Sequence, residues 1–246
     1  MKKNNTLIGA HVERLEDLRF LRGKGTYVGD LTRPDLLHAV VLRSPVAHGL
    51  IRRINASRAL AMPGVHAVIT GEDLAPAVPK IALRLDPLPE FKAFEQPVIA
   101  YKKVRYVGEP VALVLADTQA LAEDALEGID LDIESLPAVL EREAALKGDV
   151  LLFEENGSNS PATISGIKGD ADQAFANAYY TRKERFRIHR HSAVPMETRG
   201  LLAEWNETEG RMTVYGAAKV PFHNRAALAA HLGLSLIHIS EPTRPL

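Results

Sequence analysis

A chain of 246 residues, 46% hydrophobic and 25% charged, has the balance of an ordinary globular protein of one or two domains. A formal net charge of -1 offers no electrostatic case for nucleic acid, whose binders displace counterions with a basic stripe, and the absence of cysteine excludes disulfides, thiolate metal sites, iron–sulfur ligation and a cysteine nucleophile within this chain. No apolar run approaches the ~18 residues of a membrane helix, and Lys2-Lys3 have no apolar signal region behind them, so a cytoplasmic protein with no membrane partner is expected.

Residues 1–35 are polar and turn-rich, with Gly23, Gly25, Gly29 and Pro34, and read as an irregular arm. Leu36–Leu42 is an apolar run of buried-strand length. Asn55–Met62 has room for two helical turns closed by Pro63-Gly64, and Val65–Thr70 is a β-branched strand. Gly71-Glu72-Asp73-Leu74 turns the chain into a proline-rich excursion over 75–97. Pro110–Ala116 is a strand. Asp117 or Thr118 caps a helix on which Leu121, Ala122, Ala125, Leu126 and Ile129 recur at helical spacing. Ile129–Ile133 alternates as a half-exposed strand, which makes a strand–helix–strand unit whose default is parallel, right-handed pairing.

Residues 147–169, rich in Gly, Ser, Asn and Pro, mark a domain boundary. Asp170–Ala178 is a short helix, and Tyr179–His191 alternates strongly and reads as a long strand. Leu201–Trp205 and Arg211–Tyr215 flank a turn in which Gly210 takes positive φ, a hairpin pattern. Pro221–Leu232 is a helix with proline in its first turn and Gly233 at its end.

The motifs that could carry chemistry have simpler structural explanations. Gly23-Lys24-Gly25-x-x-x-Gly29 lacks the flanking strand and helix of a dinucleotide loop and misses its spacing. His189 and His191 share a strand face with Lys183, Arg185 and Arg187, opposite Phe186 and Ile188. Two histidines without a third ligand make a poor metal site, so a solvated or interface-facing basic face is the better reading, with an anionic cofactor phosphate as the sharper one. Glu197 beside Arg199 suits loop orientation better than general-base work. No Gly-x-Ser-x-Gly elbow occurs.

An ordered set of motifs resembles the large subunits of the xanthine dehydrogenase/aldehyde oxidase molybdenum hydroxylases. It runs Arg14-Leu15-Glu16-Asp17-x-Arg19-Phe20-Leu21-x-Gly23-x-Gly25-x-Tyr27-Val28-x-Asp30-Leu31, then Leu37-His38-Ala39-x-x-Leu42-Arg43-Ser44-Pro45-x-Ala47-His48. Pro63-Gly64-Val65, Thr70-Gly71-Glu72-Asp73-Leu74, Val104-Arg105-Tyr106-Val107-Gly108-Glu109-Pro110-Val111-Ala112, Ala120–Ala125 and Leu136-Pro137-Ala138-Val139 follow. Phe186-Arg187-Ile188-His189-Arg190, Pro195-Met196-Glu197-x-Arg199-Gly200 and Val220-Pro221 complete it, over roughly residues 12–233.

The resemblance implies an α+β chain. It would have an N-terminal arm over 1–17, an α/β hammerhead domain over 18–135, a linker over 136–169 and the start of an α+β molybdopterin-binding domain over 170–233. It implies a molybdenum–molybdopterin cofactor in the full-length parent, not held by this portion alone. It also implies an iron–sulfur subunit or domain and a flavin subunit as partners, and a small-molecule substrate, an aldehyde or N-heterocycle hydroxylated with oxygen from water. The family's near-molybdenum glutamine falls on Lys219, the one candidate cofactor-binding position. Phe222-His223 stands where many relatives place histidine directly after the proline. Beyond Gly233 the family's Gly-Gly-Gly-Phe-Gly loop and its late glutamate base are not found, so no catalytic residue is assigned and the portion is expected to be inactive alone. Leu234–Arg244 resembles a translated sequencing adapter and, with the rest of 234–246, is set apart from the fold. The competing function is a stand-alone hammerhead interaction module without redox activity.

Overall fold

The computed structural model describes residues 14–82, 88–195, 197–216 and 220–240. In chain order the helices are α1 (Asp17–Leu21), α2 (Ser57–Leu60), α3 (Gln119–Leu126), α4 (Arg142–Lys147), α5 (Ala171–Ala176) and α6 (Pro221–Leu232). The strands are β1 (His38–Arg43), β2 (Gly49–Asn55), β3 (Val65–Thr70), β4 (Lys80–Ile81), β5 (Gln96–Pro97), β6 (Lys103–Val104), β7 (Pro110–Ala116), β8 (Asp130–Ser135), β9 (Leu201–Asn206), β10 (Arg211–Gly216) and β11 (Ile239–Ser240). They fall into two compact units, one of residues 34–186 and one of residues 1–33 with 187–246.

The larger unit is built around β7, the most apolar strand of the chain. β7 lies between β1 and β3, antiparallel to both. Its two faces serve two cores. Ala112, Val114 and Ala116 on one face pack with Ala59, Ala122, Ala125 and Ile129, all buried, so α2 and α3 lie close on the sheet through small side chains. Val111 on the other face joins Ala100 and Val104, against Ile51, Ile54, Leu131 and Ile133 of the second sheet, β6-β2-β8. Period-two alternation on one strand therefore feeds two clusters. Thr118 caps α3, its hydroxyl accepting from the Leu121 N–H at 3.2 Å.

The expected strand–helix–strand unit is corrected here. β7 and β8 lie in different sheets, because β1 and β3 occupy both edges of β7 and leave no place for a parallel neighbour. β8 instead pairs antiparallel with β2, a strand that the sequence reading did not assign.

Segment 136–160 packs on this unit instead of hanging as a linker. His48 Nδ1 donates to the Pro137 carbonyl at 2.7 Å, and the Leu136 N–H donates to the His48 carbonyl at 2.8 Å. Asn159 receives the Leu152 N–H and donates to the Val150 and Ala145 carbonyls, folding the stretch back on α4. Tyr179–His191 forms no strand. Its alternation is intact, but among the described residues no neighbour supplies a ladder, and Tyr180, Phe186 and Ile188 are exposed.

The smaller unit holds the β9–β10 hairpin with Gly210 at φ 57°. Arg33 of the arm stacks its guanidinium 5.1 Å from the Tyr215 ring and donates to Glu204 at 3.2 Å. Gly233 ends α6 in the left-handed conformation. The segment expected to stay outside the fold does not. Ile239 is buried, and β11 pairs parallel with β10, Met212 opposite Ile239. Strand edges pair through backbone groups, and the free edge of β10 is where β11 adds. Among the described residues no helix is long and apolar enough to cross a membrane.

Candidate functional site

Two places gather the motif residues, one in each unit. In the larger unit the loops 43–48 and 102–109 zip together. The Ser44 N–H donates to the Glu109 carbonyl at 2.9 Å, the Gly108 N–H returns to the Ser44 carbonyl at 2.8 Å, and Arg43 donates to the Gly108 carbonyl at 2.9 Å. Ser44 Oγ donates to the Val46 carbonyl at 2.9 Å. At the centre sits Glu109, 1% exposed. Its Oε2 accepts the Arg105 N–H, and its Oε1 is buried without a partner among the described residues. Burial pushes the Glu109 carboxyl above the usual carboxylate range, and the Arg105 N–H pulls the other way.

Lys103 is buried as well, paired with Glu154 and donating to the Leu151 carbonyl at 3.3 Å. A buried carboxyl and a buried ammonium so close in sequence are what a reaction site can look like. Here both hold loops: Glu109 fastens one backbone N–H, and Lys103 fastens one carbonyl and one carboxylate. His48 is also buried, and with Nδ1 donating to Pro137 its Nε2 is left without a partner among the described residues.

The Thr70–Leu74 motif is architectural too. The Thr70 N–H and hydroxyl both donate to Asp73, at 2.7 and 2.8 Å, holding its carboxyl below the usual range. Gly71 lies where a Cβ would meet the Ala100 carbonyl at 2.5 Å, so only glycine fits.

In the smaller unit a cleft of about 530 Å³ is lined by Tyr27, Val28, Gly29 and Asp30 on one side and by Glu197, Thr198 and Gly200 on the other. The arm motif and the Pro195–Gly200 motif, some 170 residues apart in sequence, therefore meet. Asp30 already accepts the Tyr27 N–H at 2.8 Å, and Gly200 packs on Val28. Among the described residues the charged lining of this cleft is Asp30 and Glu197, and neither supplies the positive charge that a phosphate-bearing cofactor needs.

The sequence candidates are dispersed. Lys219 lies outside the described residues, as does Met196. His189 and His191 are exposed, with no third ligand, and among the described residues no group of three or more His, Asp or Glu side chains could hold a metal. Lys183, Arg185 and Arg187 are exposed, and Arg185 pairs with Glu143 at 3.3 Å. What the sequence reading missed are the burial of Lys103 and Glu109 and the cleft. Glu109 was marked only by motif membership and Lys103, just ahead of that motif, by nothing, since burial of a charged side chain leaves no mark in composition.

Comparison with known proteins explains why these motifs recur together. Residues 22–137 match the family model described as aldehyde oxidase and xanthine dehydrogenase, a/b hammerhead domain, and residues 152–243 match that of the molybdopterin cofactor-binding domain. The chain is 37% identical over 227 residues to the nicotine 6-hydroxylase large subunit of Paenarthrobacter nicotinovorans, covering 92% of this chain and 28% of that protein. It is 35% identical over 243 residues to the carbon monoxide dehydrogenase large chain of Hydrogenophaga pseudoflava, covering 92% and 30%. Among solved structures, quinoline 2-oxidoreductase from Pseudomonas putida 86 superposes with a TM-score of 0.81 at 32% identity, over 95% of this chain and 30% of that one. The chain thus spans under a third of the length of each of these three relatives.

Proposed function

Because the chain belongs to the aldehyde oxidase and xanthine dehydrogenase family of molybdopterin-dependent oxidoreductases, we propose that it supplies the hammerhead domain and the first part of the molybdopterin-binding domain of a catalytic large subunit. The observation that carries this reading is the two family matches in series on a fold that superposes on such a subunit over 95% of its length. In the full subunit the bound molybdenum–molybdopterin group supplies the redox chemistry. The reaction is hydroxylation of a carbon in an aldehyde or N-heterocycle with oxygen from water. Relatives named for nicotine and quinoline favour the heterocycle. Electrons pass to an iron–sulfur subunit or domain and a flavin subunit, and the assembly works in the cytoplasm.

The described residues of this chain contribute architecture and not chemistry. The interlocked loops around Glu109 hold the hammerhead, and the described lining of the cleft offers no cation to the cofactor. Lys219 is the near-molybdenum position, where an ammonium would stand in place of an uncharged amide and require a compensating anion. Leu234–Arg244 is adapter-derived, and clean resequencing of the locus past codon 233 tests this directly.

The functional test uses a subunit extended to the length of its relatives and purified with its partner subunits. Stoichiometric molybdenum and transfer of ¹⁸O from labelled water into a hydroxylated heterocycle or aldehyde are expected. A metal-free complex that leaves both substrate classes untouched overturns the reading. The alternative of a stand-alone hammerhead module has against it the match over 152–243.

A further inference from the structure

The match to the cofactor-binding domain begins at residue 152, yet residues 152–186 lie in the same compact unit as the hammerhead. Two consecutive carbonyls of this stretch are taken by hammerhead cations. Lys103 Nζ donates to the Leu151 carbonyl and Arg105 Nε to the Leu152 carbonyl, at 3.3 and 3.0 Å. The Arg105 guanidinium also lies 4.3 Å from the centre of the Phe153 ring, and Phe153 meets Phe94 edge-on at 5.6 Å. Phe153 is 8% exposed. Glu154 pairs with Lys103, and Asn156 Nδ2 donates to the Ala93 carbonyl at 2.7 Å.

A loop that merely linked two domains would leave its backbone to water. Here the side chains of Phe153, Glu154 and Asn156 and two successive carbonyls all have hammerhead partners. Lys103 makes the arrangement directional. Its side chain is 7% exposed and that of Glu154 62%, so the cation is built into the hammerhead and the carboxylate comes to it from outside.

We propose that Leu151–Asn156 is a strap fastened to the hammerhead by Lys103 and Arg105, and that these two positioning residues set where the cofactor-binding domain starts. The strap itself stands on contacts within this chain, and only its role as the start of that domain rests on the proposed function. Charge-assisted hydrogen bonds to backbone carbonyls fix a chain in both position and direction, which an apolar contact alone does not. The titratable groups facing Glu154 from the hammerhead are Lys103 and His48, and the hydrogen bond from Lys103 holds the Glu154 carboxyl below the usual range. The clamp is therefore intact above the ordinary carboxylate pKa and is lost as pH falls through the depressed one.

Hydrogen exchange on the 246-residue chain tests this. Amides of 150–157 should be protected at neutral pH, and their protection factors should fall in acid. Lys103→Met should reduce those factors at least tenfold while β7 keeps its own, and Lys103→Arg should restore most of the loss. Glu154→Gln, on the exposed side of the clamp, should remove the acid dependence and serves as the test if Lys103→Met fails to fold. Amides of 150–157 exchanging at unprotected rates, or a pH profile untouched by Glu154→Gln, overturns the proposal. Neither outcome depends on molybdenum or on activity, so the strap and the proposed function fail separately.

Discussion

Strand β2 and segment Tyr179–His191 form an instructive pair. The first breaks strict alternation, with Leu50-Ile51 and Arg52-Arg53 in succession, and yet is the central strand of its sheet. The second alternates well over a longer stretch and belongs to no sheet among the described residues. What differs is the company. β2 has β6 on one side and β8 on the other, whereas Tyr179–His191 has no ladder partner. A strand's stability lies in cross-strand pairs and burial more than in intrinsic preference, so pattern alone cannot decide it.

The contrast fails most visibly if the well-partnered region tolerates injury. Val114→Asp places an unpaired carboxylate on the fully buried face of β7 and should cost about 3–5 kcal/mol, read as lost cooperative unfolding in urea followed by circular dichroism. Gly49 is next. A Cβ there would lie 2.5 Å from Ile133 Cγ2 and 2.8 Å from the Glu134 carbonyl, so Gly49→Ala should lower stability by about 1–3 kcal/mol. Gly29→Ala, with open space around it, should stay within about 0.5 kcal/mol. Thr118→Ala removes the α3 cap and should cost about 1 kcal/mol in the same denaturation experiment.

Glu109 sharpens the comparison through pH. Its folded pKa is raised, so its contribution is fully present below the unfolded carboxylate pKa and is lost as pH rises through the folded one. Glu109→Gln should flatten that part of the stability–pH curve, and an unchanged slope would show that the carboxyl is not desolvated. The smallest effect belongs to the lone segment. Phe186→Ser combined with Ile188→Ser should shift stability by no more than about 0.5 kcal/mol, because both side chains are exposed. A loss above 1 kcal/mol would reveal that the segment is packed after all.

Much of both units was legible where the signals are local. β7 is a continuous apolar run, α3 has a threonine cap and helical spacing, and the β9–β10 hairpin has Gly210. β2 was hidden by its irregularity. The register shifts between Ile51 and Arg53, and this bulge brings Ile51 and Ile54 into one core although an odd spacing would set them on opposite faces. Arg52 and Arg53 in turn pair with Glu134 and Asp130 of β8. Tertiary geometry, invisible in the sequence, decided both points. The same holds for the sites. The Ser44–His48 and Arg105–Glu109 motifs were visible as resemblance, but that they interlock, and that Lys103 reaches forward to Leu151 and Glu154, depends on distant segments meeting. The acidic cleft joins residues near 30 to residues near 200 and has no local signature at all.

That the smaller unit is discontinuous bears on synthesis. The arm that carries Arg33 leaves the ribosome early, but Glu204 and Tyr215, which hold it, follow roughly 170–180 residues later. At about 5–20 residues per second the arm waits on the order of 10–40 s while the inserted unit has everything it needs to fold first. During nascent-chain growth, then, Arg33 precedes the inserted unit in synthesis and follows it in finding its partners.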